Sequence, residues 1–479
     1  MAETPSNNPK YAWSMIPRAG LPKRPASDRV CDFGEIYSDF SEEMVRSQAS
    51  RCIQCPDPLC MQGCPLANRI PEWLALAAQG QFMEAAAISR STSNMPEVCA
   101  RVCPQEKLCE GACILNARGE PVAIGSVERF INDYATAHGF VDAAPAAPNG
   151  RRVAVIGSGP GGIACADELS MAGVSVTVFE SQLIAGGLLM NGIPSFKLDK
   201  RLVRRRIELL AERGVKFRLG VRVGWEVSLA SLLADFDAVF LGIGAQKSKP
   251  LDLPGDKVSG VSDAIPFLVQ FNVGSPMPGS PAVDVTGKRV VVLGGGDTAM
   301  DCLRTALRSG AKEAVCLYRR DLANMPGNKR EFLNAIEEGA QFEFLTNPVE
   351  IRADAGGSVE GVRCIRMALG EPDSSGRRRP LPVAGSEFEV AADIVIAAYG
   401  FEPEPFPKES DFFPIKRDKW EGIAVDKNQM TSIERVFSGG DSVRGPSLVV
   451  HAVRDARKAA QGILRYLATT SPALPPTGT

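Results

Sequence analysis

The sequence carries no excess of charge of either sign. Over 479 residues, 54 Lys and Arg stand against 56 Asp and Glu, a formal charge of −2. That excludes the basic footprint of a nucleic-acid binder or of a protein held on an anionic membrane. No apolar run is long enough to span a bilayer, and the opening residues MAETPSNNPK lack the apolar core of a secretion signal. A cytoplasmic location with no membrane partner is therefore expected. Histidine is scarce, two residues in the whole chain, and His451 is assigned no role. Cysteine is abundant at 13 residues, and in a reducing compartment these are not expected to form disulfides. The length exceeds what one core organises and predicts two or three domains.

Residues 151–180, RRVAVIGSGPGGIACADELSMAGVSVTVFE, read as a strand, a glycine turn, a helix and a second strand. In this pattern Gly157 makes the tight turn, Gly159 lets a pyrophosphate approach the backbone, and Gly162 lets helix and strand pack closely. Pro160 and Gly161 open the helix, whose N-terminus offers unpaired N–H groups and a partial positive charge. Glu180 ends the second strand, where an acid receives ribose hydroxyls. The design recurs at 288–320: KRVVVL, then Gly294-Gly295-Gly296-Asp297-Thr298-Ala299, then a helix and a strand ending on Arg319-Arg320. Guanidinium forks in place of the acid suit a 2′-phosphate, so this second site is expected to prefer NADP over NAD.

Eight cysteines fall between residues 52 and 113, as Cys52-x2-Cys55-x4-Cys60-x3-Cys64-Pro and Cys99-x3-Cys103-Pro-x4-Cys109-x3-Cys113. Closely spaced thiolates followed by proline suit iron–sulfur ligation and predict two 4Fe-4S clusters. A non-redox zinc scaffold is the alternative, although the gaps fit paired zinc knuckles poorly. Residues 72–90 show apolar positions near helical spacing and predict core packing beside the clusters, and residues 126–137 read as a further helix. Residues 1–30 are expected to lie extended over a surface, and the tract AAPAAPNG at 143–150 reads as a linker.

Beyond Glu180, residues 185–197 (AGGLLMNGIPSFK, with Gly187) read as too irregular for a helix, and 198–213 as an amphipathic basic helix on a solvated surface. Residues 236–244 predict a strand ending in small residues at Gly244. VFSGGD at 436–441 predicts a strand whose end, Gly440 and Asp441, suits a polyol chain. Residues 448–460 follow as a helix with its N-terminus, at Val449, near the same site. The fold class is α/β: two Rossmann-like dinucleotide folds, the second inserted in the first, behind a mostly helical iron–sulfur domain. The expected domains are 1–147, then 148–284 with 401–479, and 285–400.

These features resemble the FAD and NAD(P)H flavoprotein oxidoreductases. The cysteine blocks RCIQCPDPLCMQGCP and ARVCPQEKLCEGAC, joined to GSGPGGIACADEL, AGGLLMNGIPSFKL and GGGDTAMDC, are similar to the small (beta) subunits of bacterial NADPH-dependent glutamate synthase. The N-terminal half of dihydropyrimidine dehydrogenase and the large subunit of NADH-dependent ferredoxin:NADP oxidoreductase share the arrangement. The resemblance implies FAD at Gly157, Gly159, Pro160, Gly161, Gly162, Glu180, Gly187, Gly244, Gly440, Asp441 and Val449. It implies NADPH at Gly294, Gly295, Gly296, Asp297, Thr298, Arg319 and Arg320. It also implies interleaved ligation, with Cys52, Cys55, Cys60 and Cys113 on one cluster and Cys64, Cys103, Cys109 and Glu128 on the other; Cys99 rivals Glu128.

Hydride transfer runs between cofactors in this group, so no catalytic side chain is expected. Cys165, Cys302, Cys316 and Cys364 stand alone, as core residues, which excludes disulfide reduction. The sequence has no free N-terminal cysteine nucleophile and no second flavin barrel. The resemblance therefore implies a hetero-oligomer with a large (alpha) subunit carrying glutaminase and FMN/synthase sites, which converts glutamine and 2-oxoglutarate to two glutamates. An NAD(P)H:ferredoxin oxidoreductase or transhydrogenase subunit remains the alternative.

Overall fold

Two almost wholly apolar strands, Arg152–Ile156 and Arg289–Leu293, are buried along nearly their whole length. Strands of that kind belong inside parallel sheets covered by helices on both faces. The computed structural model, which describes residues 12–140, 144–372 and 376–470, places each at the centre of its own five-stranded sheet.

The first sheet runs, edge to edge, Val436–Ser438, Ala238–Leu241, Arg152–Ile156, Ser175–Glu180 and Lys216–Leu219, all parallel. The second runs Val261–Asp263, Ile394–Ala397, Arg289–Leu293, Glu313–Tyr318 and Gln341–Phe344, again all parallel. The chain leaves the first sheet after Ala238–Leu241, builds the second, and returns at Val436–Ser438. The outgoing and returning segments meet as a two-residue antiparallel pair, Lys247–Ser248 with Phe401–Glu402. The strand Val261–Asp263 and the helix Ala264–Val273 precede residue 285, yet that strand pairs in the second sheet. A three-stranded antiparallel sheet, Thr346–Ala353, Val359–Pro372 and Arg378–Ala391, flanks the second sheet.

Ahead of both sheets lie the helices Glu42–Ser50, Ile70–Ala78, Phe82–Thr92, Pro96–Val102 and Ile124–Ala137. Ser41 starts the first of them, its hydroxyl accepting from Met44 N at 3.2 Å. The helical spacing read over 72–90 resolves into two helices, because Gly80 between them turns left-handed. Their shared core holds Trp73, Leu74, Phe82, Ala85, Val127 and Ile131. The helix Pro96–Val102 instead buries Val98 and Cys99 in the core of the first sheet, so these helices and that sheet pack as one body.

Three expectations change. The stretch 185–197 contains a short helix, Leu188–Asn191. The basic helix, Lys200–Glu212, is not merely solvated: Val203, Arg206 and Leu210 are buried, and Arg206 forks onto Glu97 at 2.8 and 3.1 Å. The leading segment is anchored by charge, with Arg29 buried against Glu337 and Glu338 at 2.6 and 2.8 Å; residues 1–11 lie outside the described residues. As expected, Cys165, Cys302, Cys316 and Cys364 are buried. Among the described residues no helix is long and apolar enough to cross a membrane.

Candidate functional site

The first glycine turn is built by close approach. Gly157 has φ +94°, and a Cβ there would come within 2.5 Å of the Gly242 carbonyl oxygen; a Cβ on Gly162 would overlap the Gly157 carbonyl. A Cβ on Gly159, by contrast, would meet nothing within 4 Å. The turn is therefore packed below and open above. The helix Pro160–Met171 starts there with no side-chain cap, leaving its first N–H groups for an anion. Gly187 lies against the same mouth, its Cβ position 2.8 Å from Gly159 Cα.

Glu180 stands at the end of its strand, as expected, but its carboxylate is used locally. Oε2 accepts from Ser158 N at 2.9 Å and Ser158 Oγ at 2.5 Å, and Oε1 from Gln182 N at 2.8 Å and Ser181 Oγ at 3.2 Å. Ser158 Oγ in turn accepts from Gly186 N at 2.9 Å. Glu180 thus braces the glycine turn against the Gly186-Gly187 loop, a role that strand-end spacing does not reveal.

The C-terminal segment returns to the same place. The strand Val436–Ser438 ends on Gly439 and Gly440, and Asp441 follows with its Oδ1 buried and without a hydrogen-bond partner. Burial pushes the Asp441 carboxyl up to about 6. An unsatisfied buried acceptor beside an open turn fits a hydroxylated chain such as the ribityl of FAD. The helix Val449–Thr469 also begins without a side-chain cap. Gly244, with φ +74°, follows the neighbouring strand Ala238–Leu241.

The second turn has the same plan. A Cβ on Gly294 would meet the Ala398 carbonyl and one on Gly295 would meet the Tyr318 ring, while Gly296 is open. The helix Asp297–Arg308 starts uncapped, with Thr298 in its first turn, and Asp297 Oδ1 accepts from Asn328 N at 2.7 Å. The arginine pair divides. Arg319 is exposed, whereas Arg320 is buried and donates from Nε to the Arg378 carbonyl at 2.7 Å. Arg320 ties strand to hairpin, and of the expected pair it is Arg319 whose side chain is exposed. Neither spacing nor composition separates the two, because the bend after Tyr318 and the arriving hairpin decide which one is buried.

The cysteines gather in two groups. Burial, together with the facing Cys52, Cys113 and Cys55, pushes the Cys60 thiol up to about 12, and burial pushes Cys52 to about 11. Cys64, Cys103, Cys109 and Glu128 line a single cavity with Cys99. Burial raises Cys109, with Glu110, Glu128 and Cys64 adding to it, and pushes Glu128 up to about 8. Glu128 Oε1 accepts from Asn68 Nδ2 at 3.2 Å and from Ser89 Oγ at 3.4 Å. Thiols and a carboxyl crowded out of water in this way stay neutral unless a cation is there to stabilise their ionised forms, and both donor sets suit a cationic cluster. Val450, from the start of the C-terminal helix, closes one wall of the cavity. The second cysteine group therefore adjoins the first nucleotide fold.

Comparison with known proteins agrees with this division. The family described as dihydropyrimidine dehydrogenase domain II, 4Fe-4S cluster, matches residues 29–140, and the pyridine nucleotide-disulphide oxidoreductase family matches residues 151–456. The first match favours iron–sulfur over zinc. Residues 151–456 hold no cysteine pair of the kind that reduces disulfides, so that name describes the fold. The FprA structure from Mycobacterium tuberculosis in complex with NADPH shares the fold, with a TM-score of 0.57 over 66% of this chain and 84% of its own, at 22% identity.

The glutamate synthase [NADPH] small chain of Escherichia coli is 46% identical across 95% of this chain and 98% of its own, and that of Azospirillum brasilense 45% across 93% of each. The putative oxidoreductase AegA of Escherichia coli is 47% identical over 95% of this chain but only 71% of its own. Identity of this extent, over the helical iron–sulfur region and both nucleotide folds together, places the chain in the family of glutamate synthase small chains, NADPH-dependent oxidoreductases.

Proposed function

We propose that the chain is the electron-input subunit of glutamate synthase, oxidising NADPH at the second glycine turn and passing electrons through the cysteine-rich helices to a large subunit. That subunit would convert glutamine and 2-oxoglutarate to two glutamates, in a cytoplasmic hetero-oligomer. The observation that carries the reading is the shared wall between the second cysteine cavity and the first nucleotide fold at Val450. A redox path needs that adjacency, and a zinc scaffold has no use for it.

When bound, FAD supplies the conversion of a two-electron hydride donor into single electrons that 4Fe-4S clusters accept. The chain's own residues bind and orient. In the flavin site Gly157, Gly159, Pro160, Gly161 and Gly162 present the helix N-terminus to the pyrophosphate. Gly187, Gly244, Gly440 and Val449 bring backbone close to the cofactor, Asp441 accepts from the ribityl chain, and Glu180 braces the turn. Gly294, Gly295, Gly296, Asp297 and Thr298 form the NADPH cradle, with Arg319 on the 2′-phosphate. Cys52, Cys55, Cys60 and Cys113 would hold one cluster, and Cys64, Cys103, Cys109 and Glu128 the other. The domain divisions at 147 and 400 belong to the same reading, whereas the expected division at 284 moves ahead of Val261, because Val261–Asp263 pairs in the second sheet and Ala264, Phe267 and Leu268 join its core.

A second reading keeps the electron converter and changes the acceptor to ferredoxin or a similar carrier. It is favoured by AegA and UacF, 47% and 43% identical, which are described only as putative oxidoreductases. Anaerobic affinity purification decides between the two. Co-purification of a large subunit, with NADPH oxidation that depends on both glutamine and 2-oxoglutarate, is expected. Oxidation indifferent to those substrates and driven by ferredoxin would move the assignment to the second reading. For the ligands, low-temperature electron paramagnetic resonance of the reduced protein is expected to lose one cluster signal in Glu128→Ala and keep both in Cys99→Ser.

A further inference from the structure

The two nucleotide folds are joined covalently only by the short crossing pair Lys247–Ser248 and Phe401–Glu402. A two-residue ribbon is a weak constraint on how one fold faces the other. Yet hydride transfer needs the reacting atoms about 3–3.5 Å apart, so something else must set the angle between the folds.

Phe196 and Lys197 do this from the flavin side. Lys197 Nζ, nearly buried, lies 2.9 Å from Asp301 Oδ1 and 3.9 Å from Glu331 Oε2. Asp301 is one turn along from Asp297 on the helix Asp297–Arg308, whose N-terminus faces the second glycine turn. The Phe196 ring, 1% exposed, lies 4.3 Å from the Arg304 guanidinium and 4.1 Å from that of Arg308, on the same helix. The same two arginines meet Glu338, at 2.8 Å from Arg304 and 2.6 Å from Arg308, and Arg29 of the leading segment meets it at 2.8 Å.

The leading segment completes the enclosure. Ile36 N donates to the Phe196 carbonyl at 3.3 Å, Arg308 Nε donates to the Asp32 carbonyl at 3.1 Å, and Lys23 pairs with Glu337 at 2.5 Å. A separate tether runs from Asn272 Nδ2 to the carbonyls of Asn191 and Gly192, both at 3.1 Å. Buried charge networks of this kind add little stability over an apolar contact of the same size, but their directional bonds fix one arrangement.

We propose that Lys197 is a positioning residue: with Phe196 it keys the helix of the second glycine turn onto the flavin-side fold, while the 23–37 segment closes over the junction, so that NADPH docks against a preset flavin without rotation of the second fold. The proposal rests on the FAD and NADPH assignments above. It predicts that loosening the junction damages hydride transfer more than nucleotide binding. A misplacement of about 1 Å costs on the order of 10²-fold in rate.

The test is rapid mixing of the full-length holoprotein with NADPH, followed by loss of flavin absorbance, for Lys197→Met and for the neutral double variant Lys197→Met/Asp301→Leu, which removes both members of the pair. Expected is a fall of tenfold or more in the limiting rate, with flavin content unchanged and NADP+ affinity within about threefold of the parent. Lys197→Arg should recover part of the rate. Hydrogen exchange should rise together in 23–37 and 297–308. A limiting rate within twofold of the parent in the double variant overturns the proposal, as does loss of rate accompanied by equal loss of nucleotide binding. If the parent flavin is not reduced by NADPH, the cofactor assignment fails instead, and coupled exchange in the two segments alone upholds or overturns the junction.

Discussion

The two nucleotide folds share a plan and differ in how tightly it is drawn. In the first, the helix after the glycine turn packs so close that Gly162 has no room for a Cβ against the Gly157 carbonyl. In the second, the matching position is Ala299, buried and accommodated. The first fold is set into an apolar core shared with the N-terminal helices, whereas the second meets the leading segment through the buried ion pair of Arg29 with Glu338. The difference suits one cofactor held permanently and one that comes and goes.

Breaking the tighter turn has the largest expected effect. Gly162→Ala forces Cβ onto a carbonyl and should yield protein without flavin absorbance. Next comes the ionic junction: Arg304→Met takes from Glu331 its nearest cation and from Glu338 one of three guanidinium partners, and is expected to cost about 3–5 kcal/mol in thermal unfolding.

Acid attacks the same place. Burial alone would raise the Glu338 carboxyl, but Arg308 and Arg304 hold it at about 2, below its ordinary 4.5. A carboxylate with a depressed value stabilises the fold above its unfolded value and loses that contribution as pH falls. Melting temperature should therefore decline from pH ~4.5 towards pH ~2, and in Glu338→Gln this part of the decline should disappear.

Arg319→Ala is expected to raise the KM for NADPH by roughly tenfold to a hundredfold, the loss of a charged hydrogen bond of about 1.5–3 kcal/mol, and to leave that for NADH unchanged. Arg320→Ala should instead lower stability and affect both nucleotides alike. If the two arginines behave identically, the asymmetry drawn between them is wrong. Lys247→Ala, at the exposed pair with Glu402, should cost less than about 1 kcal/mol in the same unfolding assay.

Much of this was legible in the sequence because each feature has a local cause. Apolar strands followed by spaced glycines announce both folds, and cysteines before prolines announce the clusters. What stayed hidden depends on partners far away in the chain. Arg319 and Arg320 are equivalent as letters, and only the hairpin from Arg378 shows which one is occupied. Glu180 was placed correctly, but its bonds to Ser158 and Gln182 follow from side-chain direction. The basic helix at 200–212 looked like surface because Arg206 reads as solvated until Glu97 arrives from more than a hundred residues earlier. Residues 23–37 carry no periodic signal at all, and their role is set by charges near residue 338.

The order of strands in the first sheet also bears on synthesis. Val436–Ser438 closes the edge beside Ala238–Leu241, and about two hundred residues must be made between them. At about 5–20 residues per second, the nascent first sheet waits roughly 10–40 seconds with that edge unpaired. An unpaired strand edge is an invitation to the wrong neighbour. The intervening second fold, which has its own core, gains a head start in folding, and a chain stopped before Val436 should capture no flavin.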